Sequence, residues 1–243
     1  MLRQDTTVAH IAPFAVFVLF TALVPAVAIH NSALPWWRSA PEHWIYPLQT
    51  VVCGALLICF WKNYTFRPSR GLVLATVLGI VSIVLWILPA HLFHAWKDHE
   101  THAIPLLGFA ARNEGFDPTI FKHDRFWYAL VIIMRFVRMV IVVPLVEEII
   151  WRGWLMRWLV SNDVKPFTSV QIGTHSWKAF GITTAAVVFV HSVEDWLGAL
   201  IFGSLMYFLC VRTKSLAACV LMHAVANLLL GIYVMKTRQW GFW

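Results

Sequence analysis

The chain has 243 residues, of which 60% are hydrophobic and only 13% are charged. Soluble domains usually contain about 45–50% apolar and about 25% charged residues, so this composition excludes an ordinary soluble domain. The formal net charge is +7, but the basic residues lie between apolar runs, as they do in the cytoplasmic loops of membrane proteins. No basic stripe is interleaved with aromatic residues, and we therefore exclude nucleic acid as a partner.

Long apolar runs separated by polar loops predict an all-α, polytopic transmembrane helix bundle in the lipid bilayer. We expect seven spans, or eight if one more crossing exists. The first run is too long for the core of a signal peptide, and we expect it to be retained. Residues 1–125 would hold the first three spans and a long external loop, and residues 126–243 would hold the rest. The predicted spans cover residues 9–29, 44–61, 72–93, 139–160, 179–193, 196–211 and 215–235.

Two short basic loops set the predicted orientation. Lys62, Arg67 and Arg70 follow the second span, and Arg212 and Lys214 precede the last one. Cytoplasmic loops are enriched in Lys and Arg, so both loops and the N-terminus are expected in the cytoplasm. With seven spans, the C-terminal tail would then lie outside.

The apolar stretch over residues 126–160 is too long for one simple span. As a single helix it would be roughly 50 Å long, against a hydrocarbon core of ~30 Å. Because Arg135 and Arg138 lie in its first half and Pro144 can bend it, we expect a division. An interfacial or tilted approach would cover residues 126–138, and a span would cover residues 139–160.

Three ionisable residues lie deep inside that predicted span. A charge in the bilayer centre costs on the order of 2.5–3.5 kcal/mol on insertion scales, so it needs a partner or a function. In VEEIIWRGW, Glu148 and Arg152 are spaced i, i+4 and can pair on one helix face. Glu147 lies about 100° around the helix from Glu148 and stays free to act as a base. A structural cluster of salt bridges between helices would use the same residues.

Further polar residues lie on the later predicted spans. His191 ends an apolar run, where an interfacial or hydrogen-bonded core role competes with catalysis. His223 and Asn227 share one helix face and can donate hydrogen bonds to a developing oxyanion or between helices. Together these residues supply a base for water and donors for an oxyanion. No serine or cysteine in the spans has comparable partners, which favours direct attack by water.

A histidine-rich stretch at the start of the long hydrophilic loop raises the question of zinc. It lacks an H-E-x-x-H motif and has no cysteine partner, so a solvated loop is the favoured interpretation. We predict no metal and no other cofactor. The residues concerned are His91, His94, Asp98, Glu100, His99 and His102.

At these positions the chain resembles the CPBP family, which comprises the CAAX proteases and the bacteriocin-processing enzymes also called Abi. Three motifs of that family are present in the expected order, over residues 126–235. The middle motif, FxxxH, is matched only at His191, since Val187 stands where Phe is usual. The other two motifs are EExxxR, matched by Glu147, Glu148 and Arg152, and HxxxN, matched by His223 and Asn227.

The resemblance implies an all-helical intramembrane glutamic peptidase, a hydrolase that needs no metal. In such an enzyme Glu147 would activate water with assistance from His191. The remaining motif residues would be His223 and Asn227 at the oxyanion site, with Glu148 and Arg152 as supports of the geometry.

The whole chain, including its ending GIYVMKTRQWGFW, is also similar to the CAAX prenyl protease-related proteins that accompany bacterial exosortase and PEP-CTERM sorting systems. This similarity implies a multi-pass protein of the bacterial inner membrane. It also implies a protein or peptide substrate and exosortase-system proteins as partners, without establishing that the substrate is prenylated. A non-enzymatic scaffold in envelope export and a transporter that uses Glu147 as a proton carrier are the competing interpretations.

Overall fold

The computed structural model describes residues 5–29, 31, 34–95, 103–161 and 166–243, and within these residues the secondary structure is helical, with no strand. The predicted all-α fold is therefore confirmed. The principal helices are α1 (Thr6–Val27), α2 (Glu42–Phe60), α3 (Leu72–Ala95), α4 (Arg125–Trp158), α5 (Trp177–Phe189), α6 (Trp196–Thr213) and α7 (Leu216–Thr237). Short helical turns lie at Trp36–Ser39, Trp61–Asn63, Pro105–Leu107, Pro118–Phe121, Phe167–Ser169, Val193–Asp195 and Trp240–Phe242.

Six helices in the described part of the chain are long and apolar enough to cross a membrane, which confirms the polytopic prediction. The exception among the seven principal helices is α5, which has 13 residues. At 1.5 Å per residue it is roughly 20 Å long, shorter than the ~30 Å hydrocarbon core. The segment predicted as a span over residues 179–193 is thus a helix that does not reach across the core on its own.

Contacts between loops define two faces of the bundle. At the first, which we call the N-terminal face, the Tyr64 hydroxyl donates to the Ala9 carbonyl at 2.8 Å and Arg70 Nε donates to the Thr213 carbonyl at 2.6 Å. At the second, the C-terminal face, Arg112 Nη2 donates to the Glu194 carbonyl at 2.6 Å. The described helices alternate between the faces, so successive principal helices run in opposite directions and the turn at Trp240–Phe242 lies opposite the start of α1.

The two basic loops that the sequence assigned to one side do meet at the N-terminal face. The bond from Arg70 to Thr213 joins the loop after α2 to the end of α6. Lys214 adds a hydrogen bond from its ammonium group to the Gly173 carbonyl. The C-terminal face instead holds the long loop over residues 103–124 and the tail, where Gly241 N–H donates to the Arg112 carbonyl at 2.8 Å.

The predicted division of residues 126–160 is wrong, because α4 is one helical run of 34 residues. Two of its segments, Arg138–Val142 and Ile149–Leu155, are π-helical. Pro144 lies directly after the first of them, at the start of the next α-helical segment. A wider π turn accommodates the proline ring and its missing N–H, so the proline neither ends nor divides the helix.

Helices α3, α6 and α7 pack together and join the two halves of the chain in one core. The closest approach is at Gly79 on α3, where an added Cβ would lie 2.7 Å from the Met222 carbonyl oxygen of α7. Small residues allow helix backbones to approach in this way in membranes. The core around this contact contains fully buried side chains, which include Ala75, Met206, Cys210, Cys219 and Met222.

Candidate active site

The deepest part of the candidate site is a chain of three polar side chains. Glu148 is 0% exposed, Arg152 is 1% exposed and His223 is 7% exposed. Arg152 Nη1 lies 3.1 Å from Glu148 Oε2, which is the ion pair expected from their i, i+4 spacing. Glu148 Oε1 lies 2.9 Å from His223 Nδ1. The carboxylate therefore ties α4 to α7 and orients the imidazole ring.

The Glu148–Arg152 ion pair determines which ring nitrogen of His223 is protonated. A carboxylate paired with a guanidinium accepts hydrogen bonds only, so His223 donates to Glu148 through Nδ1–H. In the neutral ring, Nε2 then has no proton and accepts. In the imidazolium both nitrogens carry a proton, and Nε2–H donates. A role for His223 as an oxyanion donor therefore requires its charged form.

His191 lies just after the end of α5, and the same ring nitrogen is protonated in it as in His223. Its Nδ1 lies 2.7 Å from the Val187 carbonyl oxygen, which can only accept, so Nδ1 carries the proton. In the neutral ring, Nε2 is then free to accept a proton. The ring also packs edge-on against Trp86, with centroids 5.4 Å apart. Val187 contributes its backbone here, so replacing the usual Phe of the FxxxH motif leaves this hydrogen bond unchanged.

Asn227 is anchored by a carbonyl that the π turn releases. Val143 N–H bonds to the Arg138 carbonyl in the π pattern, five residues back. The same pattern would give the Met139 carbonyl to Pro144, which has no N–H. Asn227 Nδ2 donates to that carbonyl at 2.7 Å and satisfies it. The amide keeps one N–H and its oxygen for other partners.

One cavity of about 220 Å³ collects the candidate residues. Its wall includes Glu147, Arg152, His191, His223 and Asn227, which come from α4, the end of α5 and α7. Glu148 lies behind this wall, fully buried. Among the described residues the Glu147 carboxylate forms no ion pair, in agreement with its predicted separation from the Glu148–Arg152 pair. The geometry thus brings together a free carboxylate, a proton-accepting imidazole and hydrogen-bond donors.

Sequence reasoning missed other residues of the same wall. Arg135 and Arg138, which the sequence placed in an interfacial or tilted approach, line the cavity and are 6% and 8% exposed. Aromatic rings and one amide replace water around them. Asp195 also lines the cavity and accepts from Trp86 Nε1 at 2.9 Å, which fixes the ring that His191 packs against. The sequence signal for Arg135 and Arg138 was their close spacing within an apolar run.

The histidine-rich stretch does not form a metal site in the part that the structure describes. No three His, Cys, Asp or Glu side chains in the described ranges are grouped so that they could hold a metal ion. His91 Nδ1 lies 3.3 Å from the Tyr233 hydroxyl. The other members, Asp98, His99, Glu100 and His102, lie outside the described residues.

Comparison with known proteins gives one match. Residues 129–229, which run from the first half of α4 to near the middle of α7, match the family described as type II CAAX prenyl endopeptidase Rce1-like. The matched segment is less than half of the chain but contains all six candidate catalytic residues. No curated protein and no solved structure matches the chain. The family match, together with the apolar helices, supports an intramembrane protease of the CAAX type within a multi-pass membrane protein.

Proposed function

We propose that this protein is a glutamic-type intramembrane endopeptidase that hydrolyses a peptide bond with water. The observation that carries the proposal is the convergence of Glu147, His191, His223 and Asn227 on one cavity. A scaffold requires no such convergence. A proton carrier requires Glu147 but has no use for donors aimed at an oxyanion.

The proposed reaction starts at Glu147, the carboxylate without an ion pair. Glu147 takes a proton from a water molecule as the oxygen attacks the peptide carbonyl, and His191 Nε2 assists by accepting a hydrogen bond. The carbonyl oxygen becomes an oxyanion, which Asn227 Nδ2–H and the charged form of His223 stabilise. The carbon–nitrogen bond then breaks, and the proton held by Glu147 passes to the departing amine. The products are a carboxylic acid and an amine, and no acyl-enzyme forms.

Glu148 and Arg152 support this reaction without touching the substrate carbonyl. The Arg152 guanidinium pairs with Glu148, and the Glu148 carboxylate accepts from His223 Nδ1–H. Glu148 thereby fixes the orientation of the His223 ring from a position behind the cavity wall.

The proposed setting is the bacterial inner membrane, with exosortase-system proteins as partners. Support for it comes from the similarity of the whole chain, including the ending GIYVMKTRQWGFW, to proteins that accompany those systems. The setting can fail while the peptidase proposal stands, because the cavity chemistry does not depend on a partner.

The test is a comparison of purified wild-type protein with the Glu147→Gln variant in a peptide-cleavage assay. Glutamine keeps the shape of the side chain but cannot take a proton. We expect cleavage to fall by about 10²–10⁴-fold, the loss typical for a positioned base. The melting temperature should be preserved or raised, because the substitution breaks no ion pair of Glu147 among the described residues and removes a charge from the cavity wall.

Glu114→Gln is the matched control, since Glu114 is exposed and lies outside the cavity wall. It should cleave at the wild-type rate. A Glu147→Gln protein with wild-type cleavage would sink the glutamic mechanism. A folded wild-type protein that cleaves no peptide would favour the scaffold or transporter interpretation.

A further inference from the structure

Two arginines in the cavity wall have no task in the proposed hydrolysis. Arg135 and Arg138 lie on α4, and both line the cavity that contains Glu147 and Asn227. Their side chains are almost completely buried, at 6% and 8% exposure. Guanidinium groups are not deprotonated in proteins, so the wall carries two permanent positive charges.

Arg138 is only partly compensated by the protein. Its Nε donates to Gln49 Oε1 at 2.6 Å, which is a bond to a neutral amide. Its guanidinium lies over the rings of Phe17 and Tyr46, with centroid distances of 4.8 Å and 4.3 Å. Among the described residues Arg138 forms no ion pair, so its charge is not neutralised by a carboxylate at contact distance.

Arg135 is less well satisfied than Arg138. Its guanidinium lies between the rings of Tyr46, Phe116 and Trp243, at 5.0, 4.9 and 5.6 Å. Ring faces attract a cation, but they do not accept the in-plane N–H bonds of the guanidinium. Its Nε and Nη1 are buried and have no hydrogen-bond partner among the described residues. Buried donors of this kind are nearly always satisfied in native proteins, which points to a ligand.

The two arginines stand at a definite distance from the proposed base. Arg138 precedes Glu147 by nine positions and Arg135 by twelve, which corresponds to roughly 13–18 Å of rise between the Cα atoms of an α-helix. In a regular α-helix Arg138 and Glu147 would lie on opposite faces, at about 100° per residue. The π segment at Arg138–Val142 turns less per residue, and both side chains reach one cavity. An extended peptide whose backbone runs along this part of α4 covers that rise with about four or five residues.

We propose that Arg135 and Arg138 form a binding subsite for a carboxylate of the substrate peptide, about four or five residues from the bond that is hydrolysed. The inference rests on the proposed peptidase function and adds a substrate class to it. A planar carboxylate matches the paired N–H groups of a guanidinium and supplies the negative charge that the aromatic rings lack. The carboxylate is either the free C-terminus of a short segment beyond the cleaved bond or an acidic side chain at that distance.

The experiment uses the full chain in detergent and apolar peptides that differ only in the carboxylate. One series ends four or five residues beyond the cleaved bond, as the free acid or as the amide. A second series continues further and carries Asp or Asn at that position. We expect wild-type protein to prefer the carboxylate by about 10- to 100-fold in kcat/KM, the range of a charge-assisted hydrogen bond. A preference in the first series identifies a C-terminus, and a preference in the second identifies a side chain.

Arg135→Gln and Arg138→Gln should bring this preference close to one, mainly through a higher KM for the carboxylate peptide. Arg125→Gln is the matched control, because Arg125 is on the same helix but is exposed and outside the cavity wall. It should keep the preference. If the Gln variants do not fold, Arg135→Lys and Arg138→Lys keep the charge but lose the planar fork, and the preference should fall in them as well.

Binding measured on the Glu147→Gln variant separates the two proposals. Preferential binding of the carboxylate peptide without cleavage by wild type would overturn the peptidase but support the subsite. Cleavage by wild type with equal rates for both peptides of each pair would overturn the subsite alone. A preference that persists in the Arg135 and Arg138 variants would do the same. Binding of phosphatidylglycerol in place of the carboxylate peptide, by wild type but not by Arg135→Gln, would also overturn the subsite. That result would assign the site to a lipid phosphate.

Discussion

Helix α4 contains buried arginines at two places, and the groups that contact them differ. Arg152 is 1% exposed and meets the Glu148 carboxylate at 3.1 Å. Arg135 and Arg138, about four to five turns earlier, meet aromatic faces and the Gln49 amide, and no carboxylate among the described residues contacts them. The first place is electrically balanced by the chain itself, whereas the second keeps its positive charge.

This difference separates a structural ion pair from a site that is open to a ligand. An internal carboxylate satisfies both charge and hydrogen bonds, and Glu148 uses its second oxygen to orient His223. Aromatic rings attract a cation without neutralising it, so two buried positive charges remain in the cavity wall. The same residue type on the same helix therefore supports the catalytic geometry at one end and is suited to hold a substrate anion at the other.

The largest effect on stability is expected where the balanced pair is broken. Arg152→Ala would leave Glu148 buried without its cation, which typically costs about 3–5 kcal/mol. We expect a lower folded yield, a lower melting temperature in detergent and a loss of cleavage. Arg125→Ala, at an exposed position of the same helix, should melt close to wild type. A wild-type melting temperature for Arg152→Ala would show that the Glu148–Arg152 pair does not stabilise the fold. The two places on α4 would then not differ in this respect.

A second, smaller effect is expected at the helix contact that brings His223 to Glu148. In Gly79→Ala the new Cβ would lie 2.7 Å from the Met222 carbonyl oxygen, which is backbone and cannot turn aside. The variant must separate α3 from α7, at a cost of about 1–3 kcal/mol for overpacking. Because Met222 precedes His223, cleavage should fall together with the melting temperature.

Gly54→Ala is the control for that substitution. An added Cβ at Gly54, inside α2, meets nothing within 4 Å. Alanine in a helix interior is favoured over glycine by roughly 0.5–1 kcal/mol, so this variant should melt at or above the wild-type temperature. If Gly79→Ala melts like Gly54→Ala, the close approach of α3 and α7 does not position His223.

The sequence predicted the balanced pair but not the unbalanced one, and the reason is physical. The i, i+4 spacing of Glu148 and Arg152 is a local property of a helix, and it can be seen without a structure. The surroundings of Arg135 come from distant segments, namely Tyr46 on α2, Phe116 in a loop and Trp243 in the tail. Spacing carries no information on such contacts, so the sequence placed the two arginines in an interfacial or tilted approach and predicted no cavity around them.

The helical spans were predictable for a similar reason, since hydropathy and length are local. The continuity of α4 was not, because it depends on a π turn that accommodates Pro144. The same turn frees the Met139 carbonyl for Asn227, a bond between α4 and α7. The motif residues were therefore identified from sequence, while the hydrogen bonds that orient them required the structure.

The smallest change in stability is expected where the charge is unbalanced. Arg135→Gln strands no carboxylate, so it loses the cation–π attraction of about 0.5–2 kcal/mol and regains the cost of burying an uncompensated cation. The net shift in melting temperature should be well below that of Arg152→Ala and can have either sign. Both variants are measured in the same detergent, with Arg125→Gln as the matched exposed change. A destabilisation by Arg135→Gln as large as that of Arg152→Ala would reveal a carboxylate partner for Arg135. The two places on α4 would then be equivalent, and the Arg135 charge would already be neutralised and could not bind a substrate anion.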